Sequence, residues 1–296
     1  MGESVARRAP GGGDASHDHI VIDGVAIELE EILNKKVFDL RETEIIGETF
    51  RNNSPFPYVI IEDLFNPRLL ELIHAEFEDV KWTDWRRYDN PHERKLGTLP
   101  NARFGHATQL YFNTIHSAVF VGFLERISGI LGLIPDPALE SGGLHEIPTG
   151  GRLGAHLDFN YHPITRLDNR LVFITYLNPD WDASFGGALE LWDATGDQCI
   201  VEIQPSFGRS VMFRQSSISM HGHPDPVKAP AGRARRSAAA YFYTNGASDR
   251  EIAPSHSTVY GRAFSAQHHE KLANTVKYFM PPFLVDAVRA LRRIAV

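Results

Sequence analysis

Residues 235–243 alternate between two faces without a break. Arg235, Ser237, Ala239, Tyr241 and Tyr243 fall on one face, and Arg236, Ala238, Ala240 and Phe242 on the other. A period of two belongs to a β-strand. If the first face lines the inside of a barrel, Arg235 becomes a cation pointing into a pocket. A buried cation needs a paired anion, and the planar guanidinium fork matches a carboxylate bidentately. The competing reading is a surface salt bridge, and this strand alone does not choose between the two.

Further short strands, rich in branched and aromatic residues, fall at 170–177, 188–192, 210–213 and 237–244. Their close spacing and Gly and Pro punctuation point to an all-β barrel or sandwich. Ahead of them the spacing is mostly helical. Leu29, Ile32, Leu33 and Val37 share a face, and Asn66-Pro67 opens a helix as N-cap and first residue, with Leu69, Leu70, Ile73 and Phe77 inward. Ile115, Val119, Phe123, Ile127 and Ile130 form the stripe of a helix over 114–131. A short strand, Tyr58-Val59-Ile60-Ile61, precedes these, and residues 82–106 read as a long, irregular loop over the site.

The expected fold is therefore mainly β with flanking helices (α+β), a jelly-roll, cupin-like core buttressed by N-terminal helices. Residues 1–19, with Gly11-Gly12-Gly13, form a disordered tail. Residues 20–140 are the helical buttress and lid segment of the same domain, and 141–246 the β core. Residues 247–296 are a C-terminal extension. Its last helix starts near Pro281-Pro282, turns Leu284, Val285, Val288 and Leu291 inward, and carries Arg289, Arg292 and Arg293 where the helix dipole favours cations.

Composition excludes several classes. The formal net charge of −7 argues against nucleic acid as the main partner, and the cluster Arg233, Arg235, Arg236 is too short to overturn that. No apolar run approaches the ~20 residues needed to span a bilayer, and the N-terminus lacks the apolar core of a signal peptide. The single cysteine, Cys199, excludes an intrachain disulfide and any cysteine-rich metal site, and a reducing cytoplasm fits. Between Gln198 and Ile200-Val201 it reads as a buried strand residue. His17, His19, His74, His116, His268 and His269 read as surface or packing residues.

His156 and Asp158 are different. Positions i and i+2 of a strand share a face, so an imidazole nitrogen and a carboxylate oxygen reach a common point. A histidine from a distant strand completes a two-histidine, one-carboxylate facial triad, the ligand set of non-haem Fe(II) oxygenases. His221 and His223 are both placed to supply it.

In order along the chain stand His156-Leu157-Asp158, Tyr176-Leu177-Asn178-Pro179-Asp180-Trp181, Gly186-Gly187-Ala188-Leu189, Pro205-Ser206-Phe207-Gly208-Arg209, His221-Gly222 and Arg235-Arg236-Ser237. This series resembles the Fe(II)/2-oxoglutarate-dependent dioxygenases, most of all their prolyl-4-hydroxylase-like branch. The resemblance implies a double-stranded β-helix, with iron held by His156, Asp158 and His221, where the family's His-Gly pattern begins; His223 is the runner-up. It implies that 2-oxoglutarate meets Arg235 through its far carboxylate, with Ser237 and Tyr176 as hydrogen-bond partners, and that O2 is the second co-substrate. The activity implied is hydroxylation of an unactivated C–H bond, coupled to decarboxylation of 2-oxoglutarate to succinate and CO2. One departure stands out. The branch often carries a tyrosine nine or ten residues before the first ligand, and Glu146 and Ile147 occupy that place.

With no extra peptide-binding domain or basic groove in view, the expected substrate is a small polar metabolite, an amino acid or natural-product intermediate. Asn160, His162, Arg86, Arg87, Arg94 and Arg103 are the candidate substrate contacts. The alternatives are a prolyl or peptidyl hydroxylase acting on a protein, or the same iron site turned to desaturation, cyclisation or epimerisation. Halogenation is disfavoured because Asp158 keeps its carboxylate. A non-catalytic cupin-like binding module would show a broken triad or lack Arg235, and neither is seen. A zinc hydrolase leaves the Arg-x-Ser strand unexplained. The oligomeric state is not legible.

Overall fold

The computed structural model describes residues 18–246 and 255–261. Residues 1–17 of the expected tail and the expected C-terminal helix lie outside these residues, and His19, expected in the tail, belongs to a strand.

The chain opens with a hairpin rather than a helix. Strands β1 (His19–Ile22) and β2 (Val25–Glu28) pair across Asp23-Gly24, both at positive φ, the backbone that a tight two-residue hairpin turn demands. The first helix, α1 (Leu40–Asn52), starts only where the Asp39 carboxylate accepts from Arg41 N. Of the helical spacing from Leu29 to Val37, only a single 3-10 turn, Leu29–Glu31, forms. β3 (Tyr58–Ile61) follows as expected, and so does α2 (Pro67–Glu76), capped by Asn66.

Two further expectations are corrected. Residues 82–106 are not a loop: β4 (Trp85–Asp89) and β5 (Glu93–Thr98) form an antiparallel hairpin. Charged side chains on the solvent side of this hairpin hide its alternation. The single helix over 114–131 is two helices, α3 (His106–Ile115) and α4 (Ala118–Ser128), divided where the Ser117 hydroxyl caps Phe120 N. Val119 is exposed, so it leaves the expected stripe.

The remaining strands are β6 (Ile134–Pro135), β7 (Gly143–Pro148), β8 (Arg152–Leu157), β9 (Asp168–Tyr176), β10 (Leu189–Trp192), β11 (Cys199–Ile203), β12 (Ser210–Arg214), β13 (His221–His223), β14 (Ala234–Thr244) and β15 (Val259–Tyr260). They hydrogen-bond in the order β11-β10-β13-β8-β5-β7-β14-β9-β12-β3, with β15 added beside β8. β5 turns the corner, pairing with β7 through Leu96 and Gly97 and with β8 through Glu93 and Arg94. The antiparallel sheet thereby curls into a jelly-roll half-barrel, a double-stranded β-helix.

Alternation decides what lies on each side. Leu171 and Phe173 of β9, with Ala238, Ala240 and Phe242 of β14, face the helices and join their core. Val172 and Tyr176 turn inward, toward Leu189, Leu191, Val211 and Phe213. The helices grip the sheet through polar bonds as well. Tyr111 Oη donates to Thr175 Oγ1 at 2.8 Å, and the buried Glu76 carboxylate accepts from Ala107 N and Thr108 N at the start of α3, both at 2.8 Å. Gly105 makes room for that carboxylate, since a Cβ there would stand 2.2 Å from Glu76 Cδ. Cys199 lies on a strand as expected, half-buried rather than buried, and burial pushes its thiol up to about 11. Among the described residues no helix is long and apolar enough to cross a membrane.

Candidate metal centre and co-substrate pocket

His156 near the end of β8 and His221 at the start of β13 are Cα partners across the ladder, with ring centroids 4.4 Å apart. Each ring is oriented by its own backbone. His156 Nδ1 donates to Gly154 O at 2.8 Å and His221 Nδ1 to Ser219 O at 2.9 Å. This turns each Nε2 inward, and such a backbone bond at Nδ1 is the usual second contact of a metal-binding histidine. Asp158 meets both: its Oδ1 lies 3.4 Å from His156 Nε2 and its Oδ2 3.5 Å from His221 Nε2. One ligand atom from each of the three lies within 4.8 Å of the others, and all three residues are buried. Gln215 Nε2 donates to Asp158 Oδ2 at 2.8 Å and holds the carboxylate in place.

The electrostatics suit a cation. Burial alone would raise the Asp158 carboxyl, but His221 and His156 outweigh it and hold the group below the usual carboxylate range. Burial, then the neighbouring His156, lowers His221 to about 4, so its imidazole is neutral and offers a lone pair. Two imidazoles and one carboxylate on one face, with the opposite side open to a cavity, are the donors that Fe(II) takes in a facial triad.

Arg235 stands in the same cavity. It is 5% exposed, and among the described residues no carboxylate pairs with it. Its Nε donates to Gly187 O at 2.6 Å, its Nη2 reaches Tyr176 Oη at 3.4 Å, and its Cζ lies 5.0 Å from the centre of the Tyr176 ring. Gly186 and Gly187 both have positive φ, as expected of a turn. Ser237 follows on the same face of β14 and lines the cavity with Tyr176. A buried guanidinium with free Nη donors and no protein anion calls for an anionic ligand. The donor set and the unpaired guanidinium thus fit iron and a dicarboxylate together.

Of the expected site residues, the structure brings His156, Asp158, His221, Arg235, Ser237 and Tyr176 into one cavity. His223 lines it as well but stands outside the three-residue ligand group, because the ladder slips between His221 and His223. The six expected substrate contacts are not brought to the cavity. The chain leaves the barrel after Phe159, and a β-bridge between Tyr161 and Asp168 closes the turn. His162 is buried in that turn, 3.3 Å from Asp136 and accepting from Ile164 N and Thr165 N. Asn160 accepts from His256 N and ties down the segment that carries β15. Arg86, Arg87, Arg94 and Arg103 are exposed.

Sequence reasoning missed Tyr88, Glu93 and Lys95, which the hairpin β4–β5 presents to the cavity, and Tyr260 from β15. Alternation along β5 was the available signal: Glu93 and Lys95 share the face that Arg94 does not. Around the missing tyrosine, Ile147 and His145 point inward while Glu146 turns out to Arg236. Burial, then Lys95 and Arg235, lowers His145 to about 3, so it is a neutral hydrogen-bonding group.

Comparison with known proteins agrees with this geometry. Residues 142–243 match the family model of the 2OG-Fe(II) oxygenase superfamily. The chain is 32% identical over 204 residues to the prolyl 3-hydroxylase OGFOD1 of Mus musculus, an alignment covering 65% of this chain. The chain spans 34% of that relative's length. Among solved structures it is similar to a prolyl hydroxylase from Trichoplax adhaerens in complex with a hypoxia inducible factor oxygen degradation domain peptide fragment. That match has TM-score 0.51 and 17% identity, covering 70% of this chain and 92% of the other. A prolyl-4-hydroxylase from Pseudomonas putida matches with TM-score 0.48 and 17% identity, over 69% of this chain and all of that one.

Proposed function

We propose that this chain, which belongs to the 2OG-Fe(II) oxygenase superfamily, is an iron- and 2-oxoglutarate-dependent hydroxylase acting on a prolyl residue of a polypeptide. The observation that carries the reaction class is the convergence of His156, Asp158 and His221 in the cavity that also holds the unpaired Arg235. His156 Nε2, His221 Nε2 and an Asp158 oxygen would hold the metal. Arg235 would clamp the far carboxylate of 2-oxoglutarate, with Ser237 and Tyr176 beside it. Bound there with O2 as oxidant, iron and 2-oxoglutarate would supply an oxidative decarboxylation that releases CO2, places one oxygen atom of O2 in succinate and the other in the hydroxyl formed at a C–H bond. The chain itself orients these groups and excludes water. Val172, Ile174 and Leu189 wall the cavity with apolar surface, which strengthens the clamp by lowering the local dielectric.

For the substrate, the support is the curated relative, whose name gives prolyl 3-hydroxylation. It favours a polypeptide over the small polar metabolite expected from sequence. The side chains available to meet such a segment are Tyr88, Glu93 and Lys95 on the hairpin and Tyr260 on β15, all lining the cavity.

The test is succinate release. Protein loaded anaerobically with Fe(II) and 2-oxoglutarate is given oxygen with proline-containing peptides, or with free amino acids and small metabolites. The reading requires faster succinate release with peptides and a gain of one oxygen atom on a prolyl residue by mass spectrometry. Stimulation by free metabolites alone would reject the polypeptide substrate. A product that gains no oxygen would indicate desaturation, cyclisation or epimerisation.

A further inference from the structure

Among the described residues, His223 is buried, 2% exposed, with both ring nitrogens unpaired. The Asp225 backbone approaches the ring as a weak hydrogen-bond partner, outside the geometry of a formed hydrogen bond. Leaving buried polar atoms unpaired is unfavourable, and an apolar side chain would fill the place without that cost. Ile147 and Val227, which pack together nearby, show that apolar residues are at home in this part of the barrel. Nor does the metal need His223, because His156, Asp158 and His221 complete the ligand group without it.

Its position shows what it does face. His223 and Arg235 line the same cavity. Arg235 has already given its Nε to Gly187 O, so its fork cannot offer every donor to a ligand. A carboxylate accepts about four hydrogen bonds, and Arg235 fills part of that capacity. An imidazole N–H on the wall of the same cavity can supply a further donor.

We propose that His223 donates a hydrogen bond to the far carboxylate of 2-oxoglutarate, the carboxylate that Arg235 clamps, and so sets selectivity for a dicarboxylic 2-oxo acid. This rests on the proposed co-substrate and adds a residue to its site. Iron, by contrast, owes nothing to His223.

The experiment measures dissociation constants by calorimetry, without oxygen, on full-length protein loaded with Fe(II). Two ligands are used: 2-oxoglutarate, and 2-oxopentanoate, which has the same chain length and no far carboxylate. His223→Leu should weaken 2-oxoglutarate by about ten- to a hundred-fold, the range of a hydrogen bond to a charged group, and leave 2-oxopentanoate and iron binding unchanged. His223→Asn or His223→Gln, which restore an N–H at one or the other ring nitrogen, should recover most of the 2-oxoglutarate affinity. Unchanged 2-oxoglutarate affinity in His223→Leu overturns the proposal. So does an equal loss for both ligands, failure of both amide variants to rescue, or loss of iron. If wild-type protein binds iron but not 2-oxoglutarate, the dioxygenase reading itself fails, and the wild-type titration shows this separately.

Discussion

Gly187 and Arg235 are built against each other. The Gly187 carbonyl accepts a 2.6 Å hydrogen bond from Arg235 Nε, and a Cβ at residue 187 would stand 2.9 Å from Arg235 Cδ. The glycine is needed twice, since its φ of +73° is one that side chains rarely adopt. Gly187→Ala is therefore expected to push the guanidinium off its seat. We expect affinity for 2-oxoglutarate to fall about ten-fold, and stability to fall by about 1 kcal/mol from backbone strain, with Fe(II) binding intact. Calorimetric titration and thermal unfolding check this, and an unchanged 2-oxoglutarate affinity would contradict the seating argument.

His156→Ala, Asp158→Ala and His221→Ala should each abolish stable Fe(II) binding, and His223→Ala should retain it. Gln215→Leu tests the support beneath them. Its amide holds Asp158 Oδ2, and losing such a contact typically costs ten- to a hundred-fold in metal affinity. Equilibrium dialysis with Fe(II) under nitrogen reads all five variants. Iron kept by His221→Ala and lost by His223→Ala would reverse the choice of ligand.

Arg235 and Arg236 are neighbours with opposite duties. Arg235→Ala should weaken 2-oxoglutarate strongly, since stripping one partner from a buried charge pair costs about 2–5 kcal/mol. Arg236 faces away from the cavity and binds Glu146, Glu78 and the His74 carbonyl, with its guanidinium over the Phe77 ring. It joins β14 to α2. Arg236→Ala should leave 2-oxoglutarate affinity alone but lower stability by about 1–2 kcal/mol. A urea titration of both variants beside their 2-oxoglutarate binding curves separates the roles. An Arg236→Ala protein of normal stability would show that this network contributes nothing.

Alternation alone put these arginines on opposite faces, because side-chain direction follows strand parity, but which face lines the cavity was not legible from the strand. Alternation likewise put His156 with Asp158, and Ser237 with Arg235, on a shared face, while Tyr176 entered only through the family resemblance. What escaped depends on contacts between distant segments. Gln215 reaches Asp158 across the barrel, β15 arrives beside β8 from beyond residue 254, and Glu76 caps a helix it does not belong to. The hairpin β4–β5 was missed because its outer face is charged, and a strand read as polar looks like a loop. Nearness to Asp158 in sequence also misled. Asn160 and His162 follow the ligand closely, but the turn they build carries them out of the barrel.

The hairpin supplies the rim test. Lys95 Nζ lies 3.2 Å from Glu93 Oε2 and 5.0 Å from the centre of the Tyr88 ring, and all three line the cavity. Lys95→Met should raise the KM for a peptide substrate several-fold with 2-oxoglutarate affinity unchanged. Alanine at Arg86, Arg87, Arg94 or Arg103 should do neither. Steady-state kinetics on the peptide that best stimulates succinate release makes the comparison. A larger effect from any of the four arginines would restore the outer face of the hairpin as the substrate surface.

Glu190 gives stability a pH dependence that is separate from catalysis. It sits on β10 directly opposite Glu202 on β11. Burial first, then the charges of Glu202 and Asp225, push its carboxyl from 4.5 up to about 7. Between these values the folded protein holds a proton on Glu190 that the unfolded chain has released. Stability must therefore fall as pH rises through that window and stay lowered above about 7, while below 4.5 both states are protonated and the group contributes nothing. Glu190→Gln mimics the protonated form. At pH 8 the variant should exceed wild type by about 1–2 kcal/mol, a figure reduced for the partial exposure of the group, and at pH 5 the two should nearly coincide. Urea unfolding at both pH values measures the difference. A gain of equal size at pH 5 would mean that shape, and not charge, is what Glu190 costs the fold.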